Sequence, residues 1–86
     1  MFVVVTYDVN EKRVQRVEAY LQKFLFHAQN SVFEGDLGKN EIKELEKGLQ
    51  KIISSNEDSV RIYIFESRDA VKIKSMGAQA NESNVI

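Results

Sequence analysis

One acidic residue stands where a carboxylate could do chemistry. Asp8 comes near the end of a run of strand-forming residues, FVVVTYDV over residues 2–9, which is apolar on both alternating faces. A carboxylate there is costly unless it is paired, bound to a metal or placed at the rim of the sheet. Mg²⁺ is commonly held by one or two carboxylates together with waters and substrate phosphates. Asp8 is therefore a candidate metal ligand, and the alternative is a solvated strand-end residue or an N-cap for the following helix.

Other residues have types that suit nucleic-acid chemistry, and each has a structural alternative. The lone histidine, His27, could act as a general acid or base, but it also suits the turn that ends the first helix. A basic stripe on that helix could contact phosphates or be an ordinary solvated face, and it consists of Lys12, Arg13, Arg16 and Lys23. Alternate residues of a late strand could stack on bases or be covered by a second subunit: Arg61, Tyr63 and Phe65.

Composition excludes several classes of protein. The chain has 86 residues, no cysteine and one histidine, so disulfide frameworks, thiolate metal sites and His-cluster zinc sites are ruled out. The net charge is −1, so any nucleic-acid binding must come from local patches. No apolar run approaches the roughly 20 residues that span a bilayer, and we expect a cytoplasmic protein without membrane contact.

Hydrophobic periodicity predicts the order β-α-β(β)-α-β followed by a C-terminal strand. Helices are predicted over residues 11–26, capped by Asn10, and 41–54, capped by Asn40. Strands are predicted over residues 2–9 and 59–66, with an edge strand over 70–75. Residues 28–37 mix strand and turn formers, which favours one bent strand or a very tight hairpin broken near Gln29 and Asn30.

This order is typical of an α+β fold, the ferredoxin-like βαββαβ sandwich, here with an additional C-terminal strand. Its two helices cover one sheet face and leave the other open. Because the first strand is apolar on both faces and the core is small, we expect a homodimer through the open sheet face. Residues 1–76 would form the ferredoxin-like domain, and residues 77–86 a C-terminal tail that is a strand exchanged with the partner subunit.

Three segments, at the separations they have here, resemble a known family. They are VVVTYDVNEKRV, QNSVFEGDL and EDSVRIYIF. Together they resemble the CRISPR-associated endoribonuclease family, the small ferredoxin-like subunit of the CRISPR spacer-acquisition (adaptation) complex. The resemblance runs from residue 2 to about residue 66, and residues 83–86 also resemble the family's tail. The segment from Ser31 to Gly35 is much more specific than the pair Tyr7-Asp8.

The resemblance implies a homodimer in which Asp8 of both subunits is the catalytic residue and holds Mg²⁺. Family members have been described as Mg²⁺-dependent endonucleases that cleave single-stranded RNA or double-stranded DNA. In the adaptation complex the dimer bridges two integrase dimers and holds DNA, so a non-catalytic DNA-binding scaffold is the alternative function. The nucleic-acid-binding positions that the resemblance implies are Tyr7, Asn10, Arg13, Arg16, Ser31 and Phe33.

One position departs from the family pattern. Many members carry an arginine where His27 stands, four residues before Ser31. Histidine is a weaker phosphate partner than arginine at neutral pH, because most of it is uncharged there. A phosphate-positioning role is therefore not expected to pass to His27 unchanged.

Overall fold

The chain folds as an antiparallel sheet that is covered by helices on one face. The structure is a computed structural model, and it describes residues 1–77. The elements are β1 (Phe2–Asp8), α1 (Glu11–Leu21), β2 (Phe26–Gln29), β3 (Val32–Asp36), α2 (Lys39–Ile52) and β4 (Ser59–Phe65), followed by a 3₁₀ turn at Arg68–Ala70. Neither helix in this part of the chain is long and apolar enough to cross a membrane.

The strands lie in the order β2-β3-β1-β4, and every neighbouring pair is antiparallel. This confirms the predicted ferredoxin-like topology, in which both helices lie on the same face of the sheet. The most apolar strand, β1, is central, as expected for a strand whose two faces are both apolar. Its central position also places Asp8 between the ends of two neighbouring strands.

The core lies between the helices and one face of the sheet. From β1 it takes the alternate side chains of Val3, Val5 and Tyr7. The two helices, together with Leu25 from the turn after α1, supply the opposing layer, which consists of Val17, Leu21, Leu25, Ile42, Leu45 and Leu49. Burial of each leucine contributes roughly 2 kcal/mol. The predicted apolar stripes of both helices are thus confirmed at these positions.

The first helix is shorter than predicted. It ends at Leu21 rather than at residue 26, and the chain tightens through hydrogen bonds from the Phe24 and Leu25 N–H groups to the Leu21 carbonyl. Phe26 and His27 instead begin β2, because pairing with β3 outweighs the continuing helical periodicity. The placement of His27 in the helix-ending turn was therefore wrong.

Residues 28–37 adopt the hairpin alternative. β2 and β3 are joined at Asn30 and Ser31, and the register shifts between His27 and Gln29. The predicted cap of α2 was wrong by two residues, since the helix begins at Lys39 after Gly38. The Glu41 carboxylate reaches back to accept a hydrogen bond from the Gly38 N–H at 2.9 Å, which favours the earlier start.

The predicted edge strand at 70–75 was also wrong. In the described residues, β4 is followed by the 3₁₀ turn and then by an exposed segment without regular structure up to Gly77. An alternating pattern is not sufficient for a strand, because strands are stabilised by pairing with a neighbour. The predicted tail of residues 77–86 lies outside the described residues apart from Gly77.

Candidate functional site at the Asp8 end of the sheet

A surface depression of about 260 Å³ lies at the Asp8 end of the sheet. Asp8 pairs with Ser59 of β4, and Thr6 pairs with Val32 of β3 and with Arg61 of β4. The lining residues are Thr6, Tyr7, Asp8, Ser31, Val32, Ser59 and Arg61. The register thus brings a carboxylate, hydroxyl groups and a guanidinium from three segments to one place.

Ser31 is held beside Asp8 by the backbone. Its carbonyl accepts a hydrogen bond from the Tyr7 N–H at 3.1 Å, which joins the β2–β3 turn to the end of β1. Ser31 has a φ of 63°, a left-handed conformation that is uncommon outside glycine and that closes this tight turn. The resemblance and the geometry therefore place the same serine at the depression.

Asp8 itself is exposed and does not cap α1. The cap is Asn10, whose side-chain oxygen accepts a hydrogen bond from the Lys12 N–H at 3.0 Å, as predicted. One structural explanation of Asp8 is therefore removed, and the solvated carboxylate and the metal ligand remain. The side-chain oxygen of Asn10 is engaged in capping, so a contact with nucleic acid would use its amide group.

Two predicted nucleic-acid contacts do not fit this structure. The Phe33 side chain is fully buried, and Tyr7 is 6% exposed within the same core. The Tyr7 hydroxyl donates to the Glu18 carboxylate at 2.6 Å, and burial together with this bond holds the pKa of Tyr7 well above its usual range. His27 stacks on the Phe33 ring at a centroid distance of 4.4 Å. The side chains of Tyr7 and Phe33 therefore belong to the core of the single chain.

Arg13 belongs to an ion-pair network that the sequence pattern does not predict. Its Nε donates to Asp58 Oδ2 at 2.6 Å, and its Nη2 donates to Asp58 Oδ1 at 3.1 Å and to Glu57 Oε1 at 2.6 Å. The Asp58 oxygens also accept the backbone N–H groups of Asn10 and Ser54 at 2.9 and 2.8 Å. This network ties the start of α1, just after Asp8, to the loop that leads into β4.

Of the two other arginines near these elements, only Arg61 lines the depression. Arg16 is exposed on α1 and is not among the lining residues. Arg61 projects from β4 on the face that carries Thr6 and Asp8. The geometry therefore brings together Asp8, Ser31 and Arg61, whereas the Arg13 side chain is paired with Asp58 and Glu57.

The donor set limits what metal site one chain can form. Within residues 1–77 no group of three or more His, Cys, Asp or Glu side chains could hold a metal ion. Asp8 is the carboxylate residue that lines the depression. One carboxylate suits Mg²⁺, which retains several waters, only if substrate phosphate or a second carboxylate completes the site. The residues of one chain thus fit an Mg²⁺ site that is completed by ligands from outside the chain, and they do not fit an all-protein cage.

Comparison with known proteins decides the family. The model of the family described as CRISPR associated protein Cas2 matches residues 1–73. The chain belongs to the Cas2 family. A "CRISPR-associated endoribonuclease Cas2 2" from Archaeoglobus fulgidus is 46% identical over 79 residues, which cover 92% of this chain and 86% of that protein. The "CRISPR-associated endoribonuclease Cas2" from Thermotoga maritima is 36% identical over 86 residues and covers 100% of this chain and 99% of that protein.

Solved Cas2 structures share the fold. A crystal structure of Cas2 with 47% sequence identity superposes with a TM-score of 0.82, covering 90% of this chain and 86% of that chain. The Streptococcus pyogenes Cas2 structure at pH 6.5 has 31% identity and a TM-score of 0.80, with coverage of 90% and 100%. Family membership and the ferredoxin-like fold, both predicted from the residues, are thereby confirmed.

Proposed function

We propose that this Cas2-family protein is an Mg²⁺-dependent endonuclease of CRISPR adaptation whose metal is shared by the Asp8 residues of two subunits. The observation that carries the proposal is the exposed Asp8 carboxylate at the rim of a buried strand, beside Ser31 and Arg61 in one depression. The names of the relatives from A. fulgidus and T. maritima, which include endoribonuclease, support phosphodiester cleavage. Single-stranded RNA and double-stranded DNA are both candidate substrates.

The residues at the depression have different roles in the proposed hydrolysis. When bound, Mg²⁺ would supply a water of lowered pKa and offset charge that develops on the phosphate. Asp8 holds the metal, and the Ser31 hydroxyl donates to a phosphate oxygen nearby. The Arg13–Asp58 network keeps the Asp8–Asn10 turn in place, which matters because small displacements of a catalytic group reduce rates sharply. The expected products carry a 3′-hydroxyl and a 5′-phosphate.

The second Asp8 would come from a partner subunit that packs against the open face of the sheet. A row of side chains crosses the four described strands on this face, and it consists of Phe26, Glu34, Val4 and Tyr63. Phe26 is 80% exposed and Tyr63 is 43% exposed. Large exposed aromatic side chains on an uncovered sheet face favour an interaction surface there. A two-fold dimer through this face, with its axis parallel to the strands, would bring both Asp8 residues to the same end of the interface.

Phe26→Glu is expected to convert the dimer to a monomer, because each interface would then bury two added carboxylates without partners. Phe26 is exposed in the single chain, so its replacement should leave the fold of the protomer intact. The measurement is sedimentation velocity at several concentrations, with far-UV circular dichroism to check folding. Gln50→Glu, at an exposed position of α2, changes the charge by the same amount and makes a matched control that should stay dimeric. A dimeric Phe26→Glu protein would contradict this interface.

The nuclease proposal is tested with the purified dimer and labelled single-stranded RNA and duplex DNA. Cleavage of at least one substrate is expected in Mg²⁺ and not in EDTA, because the water that attacks the phosphodiester is proposed to be activated by the metal that Asp8 holds. The products should carry a 5′-phosphate. Equal cleavage in Mg²⁺ and in EDTA would overturn the proposal.

The second candidate function is a non-catalytic DNA-binding scaffold that bridges integrase dimers. It is favoured by the presence of only one carboxylate residue in the depression and by the lack of a metal-binding cluster within residues 1–77. The same assay separates the two functions. An absence of cleavage in Mg²⁺, together with retained duplex binding in the presence of the integrase, would make the protein a scaffold.

A further inference from the structure

Arg61 lies on the same sheet face as Asp8, one residue pair further along. Asp8 pairs with Ser59 and Thr6 pairs with Arg61, so Asp8 and Arg61 are diagonal neighbours across β1 and β4. Side chains in this relation are within reach of each other when one of them is long. Both residues line the depression that also contains Ser31.

The charge of Arg61 is available to a ligand. Arg61 is exposed, and none of the ion pairs formed within residues 1–77 includes it. The guanidinium is always charged, because the ordinary pKa of arginine lies far above neutral pH and hydrogen bonding with Tyr63 raises the pKa of Arg61 further. The register therefore places a permanent cation beside the carboxylate that is proposed to hold the metal.

The other arginines that could serve here are engaged elsewhere. Arg13 is held by Asp58 and Glu57. Arg68 lies over the Phe2 ring at 4.9 Å and pairs with Glu34 at 3.5 Å, towards the opposite end of the sheet. A phosphodiester that enters the depression would thus meet Arg61, which is the arginine among the residues that line it. Guanidinium groups bind phosphate oxygens through two parallel hydrogen bonds.

We propose that Arg61, rather than Arg13, is the residue that binds the phosphodiester group at the Asp8 depression and orients it for cleavage. This inference rests on the proposed function, since it concerns the substrate of the same site. Arg61 is a substrate-binding residue in this scheme, and Arg13 is a positioning residue that acts through Asp58. The group that Arg61 recognises is the phosphodiester, which RNA and DNA share. The assay therefore compares the two nucleic acids directly.

Binding of single-stranded RNA and of a duplex DNA of the same sequence should be measured as a function of salt in EDTA, where no cleavage interferes. Arg61→Gln is expected to weaken binding about tenfold at low salt and to reduce the slope of log K against log salt by about one. Arg61→Lys should restore the slope, because it restores the charge. Lys43→Gln, on the outer face of α2, should behave as wild type.

The outcomes separate this inference from the proposed function. If Arg61→Gln binds with the wild-type slope while wild type cleaves in Mg²⁺, the inference is overturned and the nuclease stands. If wild type does not cleave but Arg61→Gln reduces the slope, the inference holds for binding and the nuclease fails. Arg61→Gln could instead weaken the dimer, in which case binding is measured at protein concentrations at which the variant is dimeric. If the salt slope is then unchanged, Arg61 is an interface residue and the inference is overturned.

Discussion

Asp8→Asn is expected to reduce Mg²⁺-dependent cleavage by roughly a thousandfold or more, because it removes the carboxylate proposed to hold the metal. The fold should be unaffected, since Asp8 is exposed and caps no helix. The measurement is the single-turnover cleavage rate with saturating enzyme at several Mg²⁺ concentrations. The melting temperature of the variant should match that of wild type.

Asp36→Asn is the matched control for this experiment. Asp36 is an exposed aspartate that ends β3 and pairs with Phe2, at the far end of the same sheet face. Its replacement changes the charge by the same amount and should leave the cleavage rate unchanged. Loss of activity in both variants would indicate a general charge effect and would contradict a site centred on Asp8.

Mixed dimers test whether two Asp8 residues share one metal. When wild type and Asp8→Asn are mixed in equal amounts and allowed to exchange subunits, random pairing gives about one quarter wild-type dimers. A shared site predicts that activity falls to about a quarter of the wild-type value, whereas independent sites predict about a half. The extent of exchange can be checked with a tagged subunit and native mass spectrometry.

Asp58→Asn is expected to have the largest effect on stability, with the melting temperature falling by about 10 °C or more. Both Asp58 oxygens are fully engaged, by Arg13 and by the backbone N–H groups of Asn10 and Ser54. An asparagine amide must turn its NH₂ group toward one of these donors, which loses at least two hydrogen bonds and leaves Arg13 without its buried partner. Thermal unfolding followed by circular dichroism measures the change.

Glu57→Gln supplies the control, because Glu57 binds the same guanidinium but is half-exposed. Its ion pair should be worth little, since solvent screens exposed pairs and side-chain ordering opposes them. A similar fall in melting temperature in both variants would contradict the view that Asp58 is the centre of the network. The cleavage rate of Asp58→Asn at low temperature, where the variant remains folded, would show whether the network is needed to position Asp8 for cleavage.

The same network predicts how stability depends on pH. Hydrogen bonds from Arg13, and those from the Asn10 and Ser54 N–H groups, hold the pKa of Asp58 well below its usual range. A pKa that is lower in the folded than in the unfolded state stabilises the protein at pH values above the unfolded-state pKa of about 4. This stabilisation is lost as the pH falls below that value. The stability difference between wild type and Asp58→Asn should therefore be constant from pH 8 to about 5 and shrink below about pH 4. Urea unfolding at each pH measures it.

The apolar periodicity of this chain determined most of its fold. The two-sided strand at residues 2–9 and the stripes of α1 and α2 predicted the ferredoxin-like order, because amphipathic segments have few ways to cover one sheet. Asp8 was also found from the sequence, since a carboxylate near the end of an apolar strand needs an explanation. The segment from Ser31 to Gly35 pointed to the family before any geometry was known.

Tertiary structure alone decided which polar residues are free to act. Tyr7 and Phe33 follow the family pattern, yet the register turns both toward the core. Arg13 and Asp58 are 45 residues apart. No local sequence pattern predicts this ion pair, because it forms only when the α2–β4 loop packs against the start of α1. Arg61 acquires its place beside Asp8 from the β1–β4 register. Periodicity reports which face a residue occupies within its own element, whereas the partner that it meets across elements is set by the packing of the whole chain.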